Sequence, residues 1–107
     1  MSQQIEVTFD RRRPALAEEL RDYAERRLTF ALRRFREQIR RVRLRFVDVN
    51  GPRHGVDTRC LMIAELTNGQ RLVVEATTAW PQASVTRAAK RLNEMLRRTL
   101  SSRRAFR

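Results

Sequence analysis

The sequence predicts an α+β domain with two layers, in which two helices cover one face of a four-stranded sheet. Apolar residues recur with period two in four short segments and at steps of three and four in two longer ones. These segments follow one another in the order β-α-β-β-β-α. Each predicted helix has a single apolar stripe, so both helices have to lie on the sheet to bury it. The length of 107 residues fits one domain, spanning residues 1–107.

The first two elements lie in the N-terminal third of the chain. Ile5, Val7 and Phe9 alternate with polar residues, which predicts a half-buried strand. Pro14 suits the first turn of a helix, where its missing N–H costs nothing. From Leu16 to Phe35 the apolar residues recur at helical spacing, which predicts a helix of about six turns.

Three strands are predicted next. Between Ile39 and Val49 the pattern returns to period two, with apolar residues facing one way and arginines the other. Residues 50–57 hold two glycines and a proline and are predicted to form a loop. Segments 58–66 and 71–76 are predicted strands. Asn68-Gly69 between them predicts a type I′ hairpin turn, because both central residues of that turn need positive φ.

Pro81 marks the start of the second predicted helix, whose apolar stripe runs from Val85 to Thr99. Trp80 stands directly before this helix, and we expect it to cap the core rather than to serve as a stacking platform. Residues 101–107 are predicted to be a flexible basic tail.

The net charge is the most informative feature of the composition. The chain has 24 Lys and Arg residues against 12 Asp and Glu, a formal charge of +12. Such an excess repels itself in a compact fold, so a polyanion is the expected partner. Cys60, the one cysteine, allows no intramolecular disulfide. The longest apolar run, from Cys60 to Ala64, is too short to span a bilayer. We therefore expect a cytoplasmic protein that does not bind membranes.

No group of residues has the spacing of a catalytic or metal site. His54 and Cys60 are the only imidazole and thiol, and no third group supports a nucleophile pair. We interpret Cys60 as a small buried apolar residue and His54 as a solvated loop residue. Two such side chains are too few for a structural zinc site. We predict a protein that is not an enzyme and has no cofactor, metal or small-molecule substrate.

Basic helix faces are the candidate sites for RNA. In the last helix, cations flank the apolar stripe on both sides, and Glu94 is the only acid on that surface. A solvated helix face normally mixes charges of both signs, so this excess favours phosphate binding. In the first helix, the cations cluster in the C-terminal half, where they also stabilise the helix end. The predicted RNA-binding residues are Arg26, Arg27, Arg33, Arg34, Arg87, Lys90, Arg91, Arg97 and Arg98.

The opposite face of the sheet carries a further stripe of arginines, namely Arg41, Arg43 and Arg45. This stripe is either a second RNA face or protection of an edge strand against aggregation, and the sequence does not rank the two. Leu61, Ile63 and Val73 make part of the same face apolar, which suggests a weak contact between two copies. The face lacks paired aromatic residues, so recognition of RNA shape and phosphates is favoured over stacking on single strands.

Several segments resemble the bacterial ribosome hibernation-promoting factors and ribosome-associated translation inhibitors. They are residues 20–28 (LRDYAERRL) in the first helix and residues 88–92 (AAKRL) with Leu96-Arg97-Arg98 in the last. Residues 48–60 (DVNGPRHGVDTRC) are similar to a subgroup of short members. The element order also agrees, and the resemblance covers nearly the whole chain.

The resemblance implies a fold like that of double-stranded-RNA-binding domains. It also implies docking on small-subunit rRNA between the head and the body, over the mRNA channel and the tRNA anticodon sites. Translation is then blocked in stationary phase or under stress. The basic pair that the family has in its first helix falls on Arg26 and Arg27. Its basic positions in the last helix fall on Arg91, Arg97 and Arg98.

The chain departs from the family at the start of the last helix. Many members have acidic residues there, where this sequence has Trp80-Pro81-Gln82 and Thr86. We expect the short type, which lacks the C-terminal dimerisation domain of long members. A protein of the short type is not expected to pair two ribosomes by itself. Two other functions stay open at this point. One is a free double-stranded-RNA-binding module, and the other is a protein-interaction or oligomeric scaffold that uses the outer sheet face.

Overall fold

The computed structural model describes the backbone of residues 4–9, 14–48 and 57–105, and the side chains of residues 20–47 and 57–100. The α+β class is confirmed. The elements are β1 (Gln4–Phe9), α1 (Pro14–Ala31), a 3-10 helix (Arg33–Gln38), β2 (Ile39–Asp48), β3 (Thr58–Leu66), β4 (Arg71–Thr78) and α2 (Pro81–Ala105).

The strands form one sheet in the order β1-β2-β3-β4. β2, β3 and β4 make an antiparallel meander. β1 pairs in parallel with β2, from Gln4 opposite Arg41 to Phe9 opposite Phe46. Parallel neighbours cannot be joined by a tight turn, and α1 with the 3-10 helix provides the crossover that they need. This crossover places α1 against the sheet, where α1 and α2 pack in one cluster.

One face of the sheet forms the core together with both helices. Along β3 and β4, and along β2 from Val42 onwards, every second side chain is buried, as a half-buried strand requires. A register shift between Ile39 and Arg41 interrupts this alternation at the start of β2. The stripes of α1 and α2 pack against the buried side chains of the strands in a single cluster. Each fully buried leucine stabilises the fold by roughly 1.5–3 kcal/mol. The side chains with no exposed surface include Leu28, Leu32, Val42, Cys60, Met62, Val85 and Leu92.

The first helix is shorter than predicted. α1 ends at Ala31 rather than Phe35, and the chain continues as the 3-10 helix. The side-chain amide of Asn93 in α2 donates a hydrogen bond to the Ala31 carbonyl. This carbonyl therefore has a partner at the point where the winding changes. In a 3-10 helix residues three apart lie on one side, so Phe35 follows Leu32 into the core and the apolar stripe continues.

The turn at Asn68-Gly69 differs from the predicted type I′. Among the described residues, Gly69 alone has positive φ, at 92°. Its amide donates to the Leu66 carbonyl at 3.0 Å, and the Leu66 amide donates to the Gln70 carbonyl at 2.8 Å. This is a three-residue loop with a type I turn followed by a left-handed glycine. Asn68 keeps negative φ, as the second central residue of a type I turn does, and its side-chain oxygen accepts the Gln70 amide at 2.8 Å.

The other element boundaries differ only slightly from the prediction, except at the C-terminal end. β2 ends one residue earlier, and β4 extends to Thr78. α2 continues to Ala105, beyond Thr99, where its predicted apolar stripe ends. Residues 101–105 include no glycine or proline, so the helical hydrogen bonds continue through them. Residues 106–107, most of the predicted loop and the side chains of β1 lie outside the described residues.

We expect Gly69→Ala to lower the free energy of unfolding by about 1–2 kcal/mol, because a side chain is strained at positive φ. A new Cβ would meet no atom within 4 Å, so steric overlap adds nothing to this effect. Denaturant unfolding measures the change. Thr67→Ala in the same loop is the control and should stay within about 0.5 kcal/mol of the parent. Equal stability of both variants would contradict the left-handed glycine.

Candidate nucleic-acid interface

All nine basic residues that the sequence singled out are exposed. They lie on α1, the 3-10 helix and α2, on the sides that face away from the core. Within the described part of the chain, none of the nine forms an ion pair with a carboxylate. The positive charge of these helix faces is therefore available to a ligand.

A groove of about 490 Å³ lies between α1 and α2, and we call it the interhelical groove. Ala31 and Ala89 are among its lining residues, and their small side chains leave room between the helices. Glu94 is the one carboxylate among the residues that line it. The cations that line it come from both sides and are Arg27, Arg33, Arg34, Lys90 and Arg97.

A second, shallower hollow of about 680 Å³ lies on the outer side of α2. Lys90 and Glu94 line both depressions, so the two meet along the exposed ridge of α2. Arg26 and Arg98 are exposed but line neither of them. The hollow is lined by Ala83, Thr86, Arg87, Lys90, Arg91 and Glu94.

Arg91 also has a structural contact. Its guanidinium donates a hydrogen bond to the backbone carbonyl of Glu75 in β4. β4 is an edge strand, and this bond attaches α2 to that edge. A substitution of Arg91 therefore changes both the surface charge and the contact between helix and sheet.

Two neutral hydrogen bonds connect the helices beside the interhelical groove. The Tyr23 hydroxyl lies 2.8 Å from the Thr86 hydroxyl oxygen. Thr86 also donates to the Gln82 carbonyl at 3.2 Å, so Tyr23 is the donor in the shared bond. The bond from Asn93 to the Ala31 carbonyl is the second connection. Because neither bond involves a charged group, they join the two basic faces without neutralising them.

Phe30 is an aromatic residue in the groove that the sequence analysis did not single out. Its side chain is 62% exposed, and it lines the groove together with the cations. The guanidinium carbon of Arg33 lies 4.6 Å from the centre of the Phe30 ring, which is cation–π geometry. The helical spacing indicates that Phe30 is exposed beside cations, because it falls outside the apolar stripe, three residues after Arg27 and three before Arg33.

Trp80 was expected in the core, and that prediction was wrong. Its side chain is 72% exposed. The Trp80 carbonyl accepts the Ser84 amide at 3.1 Å and the Thr78 hydroxyl at 2.5 Å, so the backbone of Trp80 starts α2. The first buried positions of α2 are taken by Ser84 and Val85 instead.

The outer sheet face is partly neutralised. Glu65 lies between two arginines, with oxygen–nitrogen distances of 3.7 Å to Arg41 and 3.6 Å to Arg71. β2 lies between β1 and β3, so its arginine stripe does not protect a sheet edge, and that interpretation was wrong. Val73 on the same face is 49% exposed, as the apolar pattern indicated.

Cys60 has the environment of a core residue. It has no exposed surface, and burial raises the pKa of its thiol to about 12, so the thiol is neutral at physiological pH. His54 lies outside the described residues. In the described segments, no three His, Cys, Asp or Glu side chains come together as metal ligands. Neither helix, as far as the structure describes them, is long and apolar enough to cross a membrane.

The fold is similar to the folds of two solved structures. The N-terminal domain of protein Y from Thermus thermophilus matches with a TM-score of 0.68 and 20% identity, over 92% of this chain and 99% of that one. A ribosomal subunit interface protein from Coxiella burnetii matches with a TM-score of 0.72 and 16% identity, over 92% and 99%. The resemblance that the sequence indicated is confirmed at the level of the fold. No protein-family model and no curated protein matches the sequence.

We expect Cys60 to resist thiol reagents in the folded protein at pH 8 and to react fully in denaturant. A raised folded-state pKa also means that stability is lost as the pH rises above the unfolded value of 9.0 towards about 12. Comparing the pH dependence of unfolding with that of Cys60→Ala isolates this contribution, and the variant should lose less stability over this range. Rapid labelling of the native protein would show that the thiol is not buried.

A double-mutant cycle tests the hydrogen bond between the helices. We expect Tyr23→Phe and Thr86→Val to have a coupling free energy of about 0.5–1.5 kcal/mol, because each removes one partner of the same bond. Denaturant unfolding of the parent, both single variants and the double variant provides the four values. The pair Tyr23→Phe and Thr67→Ala, which share no contact, is the control and should be additive. A coupling near zero for the first pair would show that the bond does not form in solution.

Proposed function

We propose that this protein binds the small ribosomal subunit and inhibits translation as a hibernation factor under stress. The observation that carries the proposal is the interhelical groove, which is lined by five cations from α1, the 3-10 helix and α2 and by one carboxylate. The fold similarity to a protein named for the ribosomal subunit interface supports the same partner.

The physical basis is the release of counterions from the rRNA backbone. Cations that neutralise phosphates displace condensed ions, and this makes binding favourable and salt-dependent. The nine exposed residues of α1, the 3-10 helix and α2 have no carboxylate partner in the described part, so rRNA phosphates do not have to displace one. Their proposed role is to contact phosphates, which positions the protein without reading sequence.

Inhibition in this proposal is steric. The helices dock between the head and body of the subunit, and the bulk of the domain occupies the mRNA channel and the tRNA anticodon sites. Three antiparallel strands with two helices on one side also suit the recognition of RNA shape, as in double-stranded-RNA-binding domains. No bond is made or broken, so the protein acts in proportion to the subunits that it occupies.

We expect Arg27→Glu with Arg97→Glu to weaken binding to small subunits by on the order of 100-fold, because two attractions to phosphate become repulsions. The parent should show a log–log salt slope on the order of −4 to −7, and this variant a slope shallower by about 2. Co-sedimentation with purified small subunits at several salt concentrations measures both. Arg91 is left intact because of its bond to β4.

The matched control is Arg45→Glu with Arg59→Glu, which changes the net charge equally on the outer sheet face. It should bind as the parent does. If both variants lose affinity equally, net charge rather than the groove determines binding, and the proposal fails. A plain RNA duplex that competes as well as small subunits would favour a free duplex-binding module. A salt-insensitive oligomer without bound RNA would favour a scaffold.

Occlusion has its own test, because mRNA and the protein should exclude each other on the subunit. Labelled mRNA bound to small subunits should be displaced as the protein is added, and the apparent affinity of the protein should fall as mRNA is increased. Simultaneous binding of both at full occupancy would contradict a site over the mRNA channel.

A further inference from the structure

We propose that the interhelical groove binds a single RNA strand and stacks one unpaired base on the pair formed by Phe30 and Arg33. The inference rests on the proposed function in that the same groove is the RNA-binding surface. It adds the class of ligand, which is an unpaired nucleotide. It also adds Phe30, a binding residue that the distribution of charge does not identify.

The first observation is the exposure of an aromatic ring among cations. Phe30 is 62% exposed at the end of α1, although an apolar ring left in water gives up the stabilisation that burial would provide. It belongs to the lining of the groove, which also includes Lys90 and Arg97 of α2. A base that stacks on the ring removes this apolar surface from water.

The second observation is the position of Arg33. Its guanidinium lies over the Phe30 ring at 4.6 Å, which holds a planar cation beside a planar ring. Nucleobases stack on aromatic side chains and on guanidinium planes. A base can therefore stack on the exposed part of the Phe30 ring or on the Arg33 guanidinium.

The third observation is the arrangement of charge across the groove. Lys90 and Arg97 are seven residues apart on α2, about 10 Å along the helix axis, so they can contact different phosphates of one strand. Arg27 of α1 and Arg34 of the 3-10 helix line the same groove as Phe30. The groove volume of about 490 Å³ is that of a small-ligand site, which suits a short stretch of single strand better than the whole width of a duplex.

The same features favour RNA over an acidic peptide. A peptide could satisfy the cations but has few flat groups to stack on Phe30. Glu94 lies in the groove and can accept a hydrogen bond from the amino group of a base, a donor that the side chains of an acidic peptide lack. In its described part, the outer sheet face lacks paired aromatic residues, and the exposed ring of Phe30 lies on the helix side instead.

The test compares two exposed aromatic residues, one inside the groove and one outside it. Ten-nucleotide oligouridylate and oligoadenylate are titrated into the parent, Phe30→Leu and Trp80→Leu, with binding followed by fluorescence anisotropy of the labelled RNA. We expect Phe30→Leu to weaken binding by about 5- to 100-fold, the range for loss of one stacked base. Trp80→Leu, also exposed but absent from the groove lining, should bind as the parent does.

Further variants separate stacking from charge and from altered folding. Phe30→Tyr keeps a ring and should restore parental affinity. Arg33→Lys keeps the charge but loses the plane, and it should lie between the parent and Phe30→Leu. The salt slope should be the same for Phe30→Leu as for the parent, because no phosphate contact is removed. A reporter with Trp80→Phe and Phe30→Trp should show quenched tryptophan fluorescence when oligoadenylate binds.

Parental affinity of Phe30→Leu for both oligonucleotides would overturn the inference. So would equal competition by a ten-residue polyglutamate peptide, which would identify an acidic peptide as the occupant. The proposed function is read separately, from small-subunit binding by the variant with Arg27→Glu and Arg97→Glu. If the variant with Arg27→Glu and Arg97→Glu loses subunit binding while Phe30→Leu binds single strands as the parent does, the proposed function is retained and the stacking site is rejected. Stacking on oligonucleotides without subunit binding retains the site and rejects the function.

Discussion

The burial of one apolar stripe from each helix on the same sheet face is the constraint on which the rest of the structure depends. Leu28 of α1 and Leu92 of α2 are both fully buried in one cluster with the inward side chains of the strands. The other sides of both helices then face solvent next to each other. Cations that are far apart in sequence, such as Arg27 and Arg97, line a single groove for this reason.

Hydrogen bonds rather than ion pairs hold these basic surfaces together. The bonds from Tyr23 to Thr86 and from Asn93 to Ala31 join the helices, and Arg91 attaches α2 to a backbone carbonyl of β4. None of them places a carboxylate among the cations, so the mutual repulsion of the cations remains until a polyanion binds. The proposed binding of RNA relieves this repulsion, so in that proposal the stability of the domain and its affinity for RNA depend on the same charges.

The two faces of the domain carry arginine in different environments. On the outer sheet face, Glu65 bridges Arg41 and Arg71, and apolar residues such as Val73 lie beside them. On the helix face, the cations share their groove with an exposed aromatic ring and a single acid. On the outer sheet face, an acidic neighbour already balances part of the positive charge. The helix face offers cations for phosphates and an aromatic ring for a base, and this combination suits a nucleic acid.

Local periodicity determined much of this protein from the sequence alone. The alternation of apolar residues predicted the bounds of β3, and the prolines predicted where both helices start. The position of the apolar stripe on each helix predicted that all nine cations are exposed. Tertiary structure decided the rest. α1 ends at Ala31 beside Asn93, a residue 62 positions away, and no local pattern reports such a partner. The grouping of Phe30 with the cations of α2 depends on which helix lies alongside, and that is set by packing on the shared sheet.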